Sequence, residues 1–160
     1  MNYYFFGLLL ICSAYAFVAG GTPERIGAGT YALSVEATHF VLASHGRWMH
    51  VEYGEFTVDA LTFLIFVVLA LRANRFWPIW VSALLGLGVL GHLARWAGRD
   101  VVWYAYVVVL TIWSYPILVI IALGTFNHQR RLKQFGSDRS WSRSSIRSVP
   151  PSPPGGGPTA

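Results

Sequence analysis

The sequence has few charged residues. Only 12% of its 160 residues are Asp, Glu, Lys or Arg, whereas about a quarter of the residues in a soluble domain are charged. In their place the chain carries 54% hydrophobic and 16% aromatic residues. Both fractions lie outside the usual range of soluble domains, so the composition predicts a membrane protein. The chain is long enough for several spans but leaves no room for a separate soluble domain beside them.

Cysteines and catalytic motifs are also scarce. The single cysteine, Cys12, lies within an apolar run, which excludes a disulfide framework. The sequence contains no phosphate-binding glycine loop, no nucleophile elbow, no paired-cysteine metal site and no zinc helix with two histidines. It therefore assigns no enzymatic activity. No motif that reads nucleic acid is present either, and we expect no nucleic-acid partner.

The first four residues lack the basic charge that a cleaved signal peptide needs. The small residues Ala14 and Ala16 resemble a cleavage site, but without a basic n-region we interpret residues 3–19 as a retained span. The first basic residue that flanks this span is Arg25, on its C-terminal side. Because Lys and Arg are enriched on the cytoplasmic side, this asymmetry predicts an external N-terminus.

A short basic segment, residues 72–80, joins two long apolar runs. Two helices of membrane-spanning length with so short a connection must lie antiparallel and side by side. Arg72 and Arg75 are then expected at one face of the bilayer, with Trp77 and Trp80 as interfacial aromatics. Pro78 suits the first turn of the second helix, where its missing N–H costs nothing.

Five apolar segments in total are candidates for membrane spans. We predict an all-α integral membrane helical bundle with five transmembrane helices, formed by residues 1–127. The predicted spans are residues 3–19, 26–44, 56–71, 78–95 and 101–124, with a polar loop at 45–55. Residues 128–160 are basic and then rich in Ser, Pro and Gly, which predicts a disordered cytoplasmic tail.

The second segment, residues 26–44, is the most polar of the five. Glu36 near its centre costs about 2.5 to 3.5 kcal/mol on insertion scales, so the segment spans only if neighbouring helices shelter its polar groups. Its small residues would let such helices approach closely. The alternative is a helix that lies in the membrane interface, which leaves four transmembrane helices plus an interfacial helix.

The basic residues are distributed unevenly along this predicted topology. Five spans with an internal tail place most of the Lys and Arg residues inside: Arg25, Arg72, Arg75, Arg130, Arg131, Lys133, Arg139, Arg143 and Arg147. Arg47, Arg95 and Arg99 are left outside. This bias predicts an external N-terminus and a cytoplasmic C-terminus.

The segment 70–80, with His92 further along the chain and residues 113–116 in the last span, resembles sequences from a group of small bacterial multi-pass inner-membrane proteins that carry no known activity. The resemblance covers roughly residues 20–125 and leaves out the tail. It implies a multi-pass protein of the bacterial inner membrane and implies nothing about chemistry.

Four ionisable side chains lie within the predicted spans, where such groups are rare and often functional: Glu36, His39, Asp59 and His92. At about 1.5 Å per residue, His39, Asp59 and His92 fall in one layer on the outer side of the bilayer centre, on three different helices. Glu36 lies near mid-depth, one turn from His39 on the same helix face.

Three interpretations of these groups stay open. The first, which we favour, is that they form hydrogen bonds between helices in a structural or accessory protein without a cofactor. The second is a membrane redox protein that binds haem or a metal ion through His39 and His92, with Asp59 or Glu36 as a further ligand or as a partner that orients a ligating His. The third is proton or small-solute conduction through Glu36, His39 and Asp59. The expected partners are the lipid bilayer and either further copies of the chain or other membrane subunits.

Overall fold

The described part of the chain forms five helices. The computed structural model describes residues 3–44, 50–97, 103–136 and 141. The helices are α1 (Tyr3–Ala19), α2 (Thr22–Ser44), α3 (His50–Arg72), α4 (Trp77–Ala97) and α5 (Trp103–Phe135). Outside them, an isolated antiparallel bridge pairs Ala73 with Trp141. The prediction of an all-α fold is confirmed.

The helices form a ring in chain order. Each one packs against the next, and α5 returns to pack against α1, so that the ring is closed. Helix α2 also contacts α5 across the ring. Because the connections at 20–21 and 73–76 are so short, the helices that they join run antiparallel.

The basic residues of the described chain gather at one end of this ring, which we call the basic end. It carries the α1–α2 and α3–α4 connections and the C-terminal part of α5, with Arg25, Arg72, Arg75, Arg130, Arg131 and Lys133. Among the described residues, Arg95 is the Lys or Arg at the opposite end, in the last turn of α4. This is the separation that the sequence predicts for the two faces of a membrane.

Helix α2 runs alongside its neighbours over its whole length. Against α1, its residue Gly29 lies next to Phe17 near one end, and His39 packs on Phe6 near the other, with ring centroids 5.1 Å apart. Against α3, Val41 near the C-terminus of α2 contacts Gly54 at the start of α3. Helix α2 is therefore a member of the bundle and does not lie across its end.

Large apolar side chains cover the outer surface of all five helices. Exposed examples are Leu10 and Val18 in α1, Leu33 and Phe40 in α2, Leu61, Leu64 and Leu71 in α3, Leu87 and Leu90 in α4, and Ile112 and Leu123 in α5. Two of the described stretches, Tyr53–Arg72 and Trp77–Trp96, are long and apolar enough to cross a membrane. Helix α1 is apolar but shorter.

Several helix bounds differ from the predicted spans. Helix α1 has the predicted bounds, but α2 begins at Thr22 and α3 begins at His50, within the predicted loop. Helix α5 continues to Phe135, into the predicted tail, and Gly136 with φ of 70° follows it, as is common after a helix C-terminus. An apolar run identifies the part of a helix that can lie in the hydrocarbon core of a membrane. It does not identify the residues at which the helix begins or ends. Residues 45–49 of the predicted loop and 137–140 and 142–160 of the predicted tail lie outside the described residues.

The indole of Trp77 lies at the centre of the basic end. A Cβ atom added to Gly27 of α2 would lie 2.4 Å from Trp77 Cη2, and one added to Gly124 of α5 would lie 2.6 Å from Trp77 Cδ1. On α3, Phe66 packs edge-to-face with the same indole at 6.2 Å between centroids. Both glycines are needed because only a residue without a Cβ lets the helices approach this ring so closely.

The substitution Gly27→Ala tests this packing. Its methyl group would collide with an indole held on three sides, so we expect a loss of about 1 to 3 kcal/mol in the free energy of unfolding, as overpacked cores show. The matched control is Gly7→Ala in α1, where an added Cβ meets nothing within 4 Å. Because Ala favours helix over Gly by about 1 kcal/mol, Gly7→Ala should be neutral or slightly stabilising. Unfolding in detergent measures both, and equal effects would contradict the packing.

Candidate functional site

Four polar side chains meet in the interior of the basic end. They are Glu24 from the first turn of α2, Arg75 from the α3–α4 connection, Trp77 from the start of α4 and His128 from α5. All four residues are buried. We call this set the Glu24 cluster.

The carboxylate of Glu24 holds the cluster together. Its Oε1 atom accepts hydrogen bonds from Arg75 Nε at 3.2 Å and from Trp77 Nε1 at 3.1 Å. The local sequence positions this carboxylate: Gly20 and Gly21 allow a tight connection after α1, and Pro23 suits the first turn of α2. A carboxylate in the first turn of a helix also interacts favourably with the helix dipole.

Arg75 extends the cluster to α5. Its Nη2 atom lies 3.4 Å from Nδ1 of His128, and its Nη1 atom donates to the backbone oxygen of Asn74 at 3.3 Å. A guanidinium can only donate, so in this contact Nδ1 of His128 is the acceptor. The guanidinium therefore links α2, the α3–α4 connection and α5.

The second carboxylate oxygen of Glu24 is different. Its Oε2 atom is buried and accepts no hydrogen bond from the described residues. It lies beside Gly21 and the His128 ring, because a Cβ added to Gly21 would be 3.0 Å from both Oε2 and His128 Cε1. Buried polar atoms are normally hydrogen-bonded, so this oxygen is the part of the cluster that can accept a further hydrogen bond.

A second polar pair lies nearer the opposite end, between α3 and α4. His92 Nε2 donates to Asp59 Oδ2 at 3.0 Å. The histidine side chain is only 1% exposed, whereas that of Asp59 is 32% exposed. Phe56 packs edge-to-face on the His92 ring with centroids 5.9 Å apart. The structure thus brings together two of the four residues that the sequence singled out.

The other two predicted residues lie elsewhere. His39 packs against Phe6 of α1, and Glu36 is exposed on α2. Within the part of the chain that the structure describes, no three His, Cys, Asp or Glu side chains come close enough to hold a metal ion. Joint ligation of haem or a metal by His39 and His92 stays a prediction, and the geometry does not favour it.

Sequence reasoning missed the Glu24 cluster. The sequence predicts Arg75 and Trp77 at one face of the bilayer but does not predict their burial, and both residues are only 7% exposed. A usable signal existed, because the five-helix topology places Glu24 and the 72–80 segment at the same end. An acidic residue at the same end as a basic turn can form an ion pair with it. The topology prediction counted only Lys and Arg residues and therefore did not consider Glu24.

Comparison with protein-family models, with curated proteins and with solved structures finds no match to this chain. The resemblance to small bacterial inner-membrane proteins therefore stays a prediction. The roles of the residues above rest on their geometry in this fold.

The substitution Glu24→Ala tests the cluster. It would leave the Arg75 guanidinium buried without its carboxylate and Trp77 Nε1 without its acceptor. Removing one partner of a buried ion pair costs about 3 to 5 kcal/mol, so we expect a large fall in the unfolding temperature of the detergent-solubilised protein.

The matched control is Glu36→Ala, which removes an exposed carboxylate from the same helix. Its effect should stay within about 0.5 kcal/mol, as for most surface substitutions. Glu24→Gln, which keeps an oxygen acceptor but loses the charge, should fall between the two. Similar stability of the Glu24→Ala and Glu36→Ala variants would show that the cluster does not hold the bundle.

Proposed function

We propose that the protein is a multi-pass protein of the bacterial inner membrane with five spans and a structural or accessory role. The observation that carries the proposal is the position of α2. This helix lies alongside both α1 and α3 from one end of the bundle to the other. A helix packed in this way shares the orientation of its neighbours, which favours five spans over four spans and an interfacial helix.

The polarity of the surface supports a membrane location. Monomeric soluble proteins rarely expose apolar patches larger than a few hundred Å², whereas all five helices here expose large apolar side chains along their outer faces. In a bilayer these faces contact acyl chains. The two stretches that are long and apolar enough to cross a membrane belong to α3 and α4. The other three helices pack with them in the same ring.

The helix lengths fit this location. At about 1.5 Å per residue, the 23 residues of α2 extend about 34 Å, enough for a hydrocarbon core of about 30 Å. The 33 residues of α5 extend about 50 Å, so its basic C-terminal part projects beyond the core. The gathering of Arg and Lys at the basic end favours that end as the cytoplasmic one, with the N-terminus outside.

The pairing of the buried polar groups supports a structural or accessory role. Glu24 bonds to Arg75 and Trp77, Asp59 bonds to His92, and Tyr31 of α2 donates to the backbone oxygen of Ser114 in α5 at 3.3 Å. Each of these bonds joins different parts of the ring. Groups used in this way fix which helices are neighbours and in what register.

The five-span topology can be tested by cysteine labelling. In a Cys12→Ala background, which removes the single native cysteine, we expect Tyr3→Cys to react with a membrane-impermeant maleimide in intact spheroplasts. Asn74→Cys, in the exposed part of the α3–α4 connection, should react only after the membrane is permeabilised.

Other patterns of labelling identify the alternatives. Protection of both sites in intact spheroplasts would indicate four spans with an interfacial α2 and an internal N-terminus. Reaction at Asn74→Cys without permeabilisation would invert the predicted topology. Extraction of the chain by alkaline carbonate would contradict a membrane-spanning protein altogether.

The structural role predicts what His92 and His39 contribute. We expect the purified protein to be colourless and free of stoichiometric metal, and His92→Ala to lose about 1 to 2 kcal/mol of stability with its hydrogen bond to Asp59. His39→Ala is the control, because the His39 ring packs on Phe6 and belongs to no group of possible metal ligands among the described residues. A Soret band or a bound metal that disappears in both variants would overturn the structural role and favour the redox one.

A further inference from the structure

A groove opens on the outside of the bundle between α2 and α3 at the basic end. It has a volume of about 630 Å³, within the range of about 300 to 1,000 Å³ that ligand sites occupy. Its walls are apolar, formed by Ile26 of α2 and by Ile65, Val68 and Leu71 of α3. Arg72 and Trp141 line it as well, and Arg72 ends α3 at the basic end.

Trp141 reaches the groove from the chain that follows α5. Its backbone pairs with that of Ala73 in the antiparallel bridge, which places Trp141 beside the α3–α4 connection. Trp141 is exposed there, at 42%. An aromatic residue of this kind beside an apolar wall is typical of the boundary between acyl chains and headgroups.

The charge beside the groove is positive. Arg72 is exposed, and its guanidinium has no hydrogen-bond or ion-pair partner among the described residues. In the sequence, Arg139 and Arg143 flank Trp141 two positions away on either side. An apolar groove with an unpaired cation beside it is complementary to an amphiphile with an anionic head.

We propose that this groove binds an anionic phospholipid, with an acyl chain along the apolar wall and the phosphate on Arg72. The inference rests on the proposed membrane location, since the basic end must then lie at headgroup depth. Trp141, which lines the groove beside Arg72, would lie on the headgroup side of the site.

The test compares phosphatidylglycerol with phosphatidylcholine of the same acyl chains, by native mass spectrometry of the full-length protein in detergent. We expect preferential binding of phosphatidylglycerol, and a loss of about fivefold in its affinity in Arg72→Gln, the effect typical of one basic residue near a membrane surface. Arg130→Gln is the matched control, because Arg130 is also exposed at the basic end but does not line the groove. It should change the affinity less than twofold.

A second pair of variants tests the apolar wall. Ile65→Trp should fill the groove and reduce lipid binding, whereas Leu123→Trp on the exposed face of α5 should not. Equal losses in Arg72→Gln and Arg130→Gln, or unchanged binding in Ile65→Trp, would overturn the site in favour of general attraction to the basic end. If inorganic phosphate displaced phosphatidylglycerol completely, the site would bind an anion and not a lipid. Failure of the membrane location would appear separately, as extraction by alkaline carbonate.

Discussion

The rest of the structure depends on one carboxylate oxygen that accepts two hydrogen bonds. Glu24 Oε1 accepts from both Arg75 and Trp77, and so fixes the start of α2 against the α3–α4 hairpin. The same bond holds the Trp77 indole between the glycines at 27 and 124. That contact brings α5 into the ring, and Gln129 of α5 then donates to the backbone oxygen of Ala19 at the end of α1.

A buried ion pair in this position specifies the fold more than it stabilises it. Taking a carboxylate and a guanidinium out of water is costly, and the mutual attraction often only offsets that cost. An arrangement that kept both side chains buried but separated them would leave each charge unpaired, at a cost of about 3 to 5 kcal/mol. This difference explains how α2, the segment with the most polar residues in its predicted span, is kept in the bundle beside α1 and α3.

Much of the fold could be predicted from hydrophobicity, and much of the site could not. The α1 bounds and the α3–α4 hairpin follow from apolar runs and a short connection. The positions of Asp59 and His92 along their helices predict a common depth, and the two side chains are in contact. Hydrophobicity does not say which helices are neighbours or which way a side chain faces. His39 shares that depth yet packs on Phe6. Trp77 and Trp80 flank the same basic segment and have the same predicted position, yet Trp77 is buried and Trp80 is exposed. The topology places Glu24 and the 72–80 segment at the same end, but their contact also required knowing that α2 packs beside the α3–α4 hairpin.

The buried side chains between the two polar groups bear on whether the bundle conducts protons or has only a structural role. Between the Glu24 cluster and the Asp59–His92 pair lie the fully buried apolar side chains of Phe66, Val81 and Leu118. Three hydroxyls in this part of the bundle donate to backbone oxygens: Tyr31 to Ser114, Thr62 to Val58 and Thr125 to Ile121. A backbone carbonyl accepts a hydrogen bond but has no proton to pass on. A proton path through this layer would have to break these bonds and hydrate apolar side chains. The geometry therefore favours a structural role for both polar groups, the Glu24 cluster near one end of the ring and the Asp59–His92 pair nearer the other.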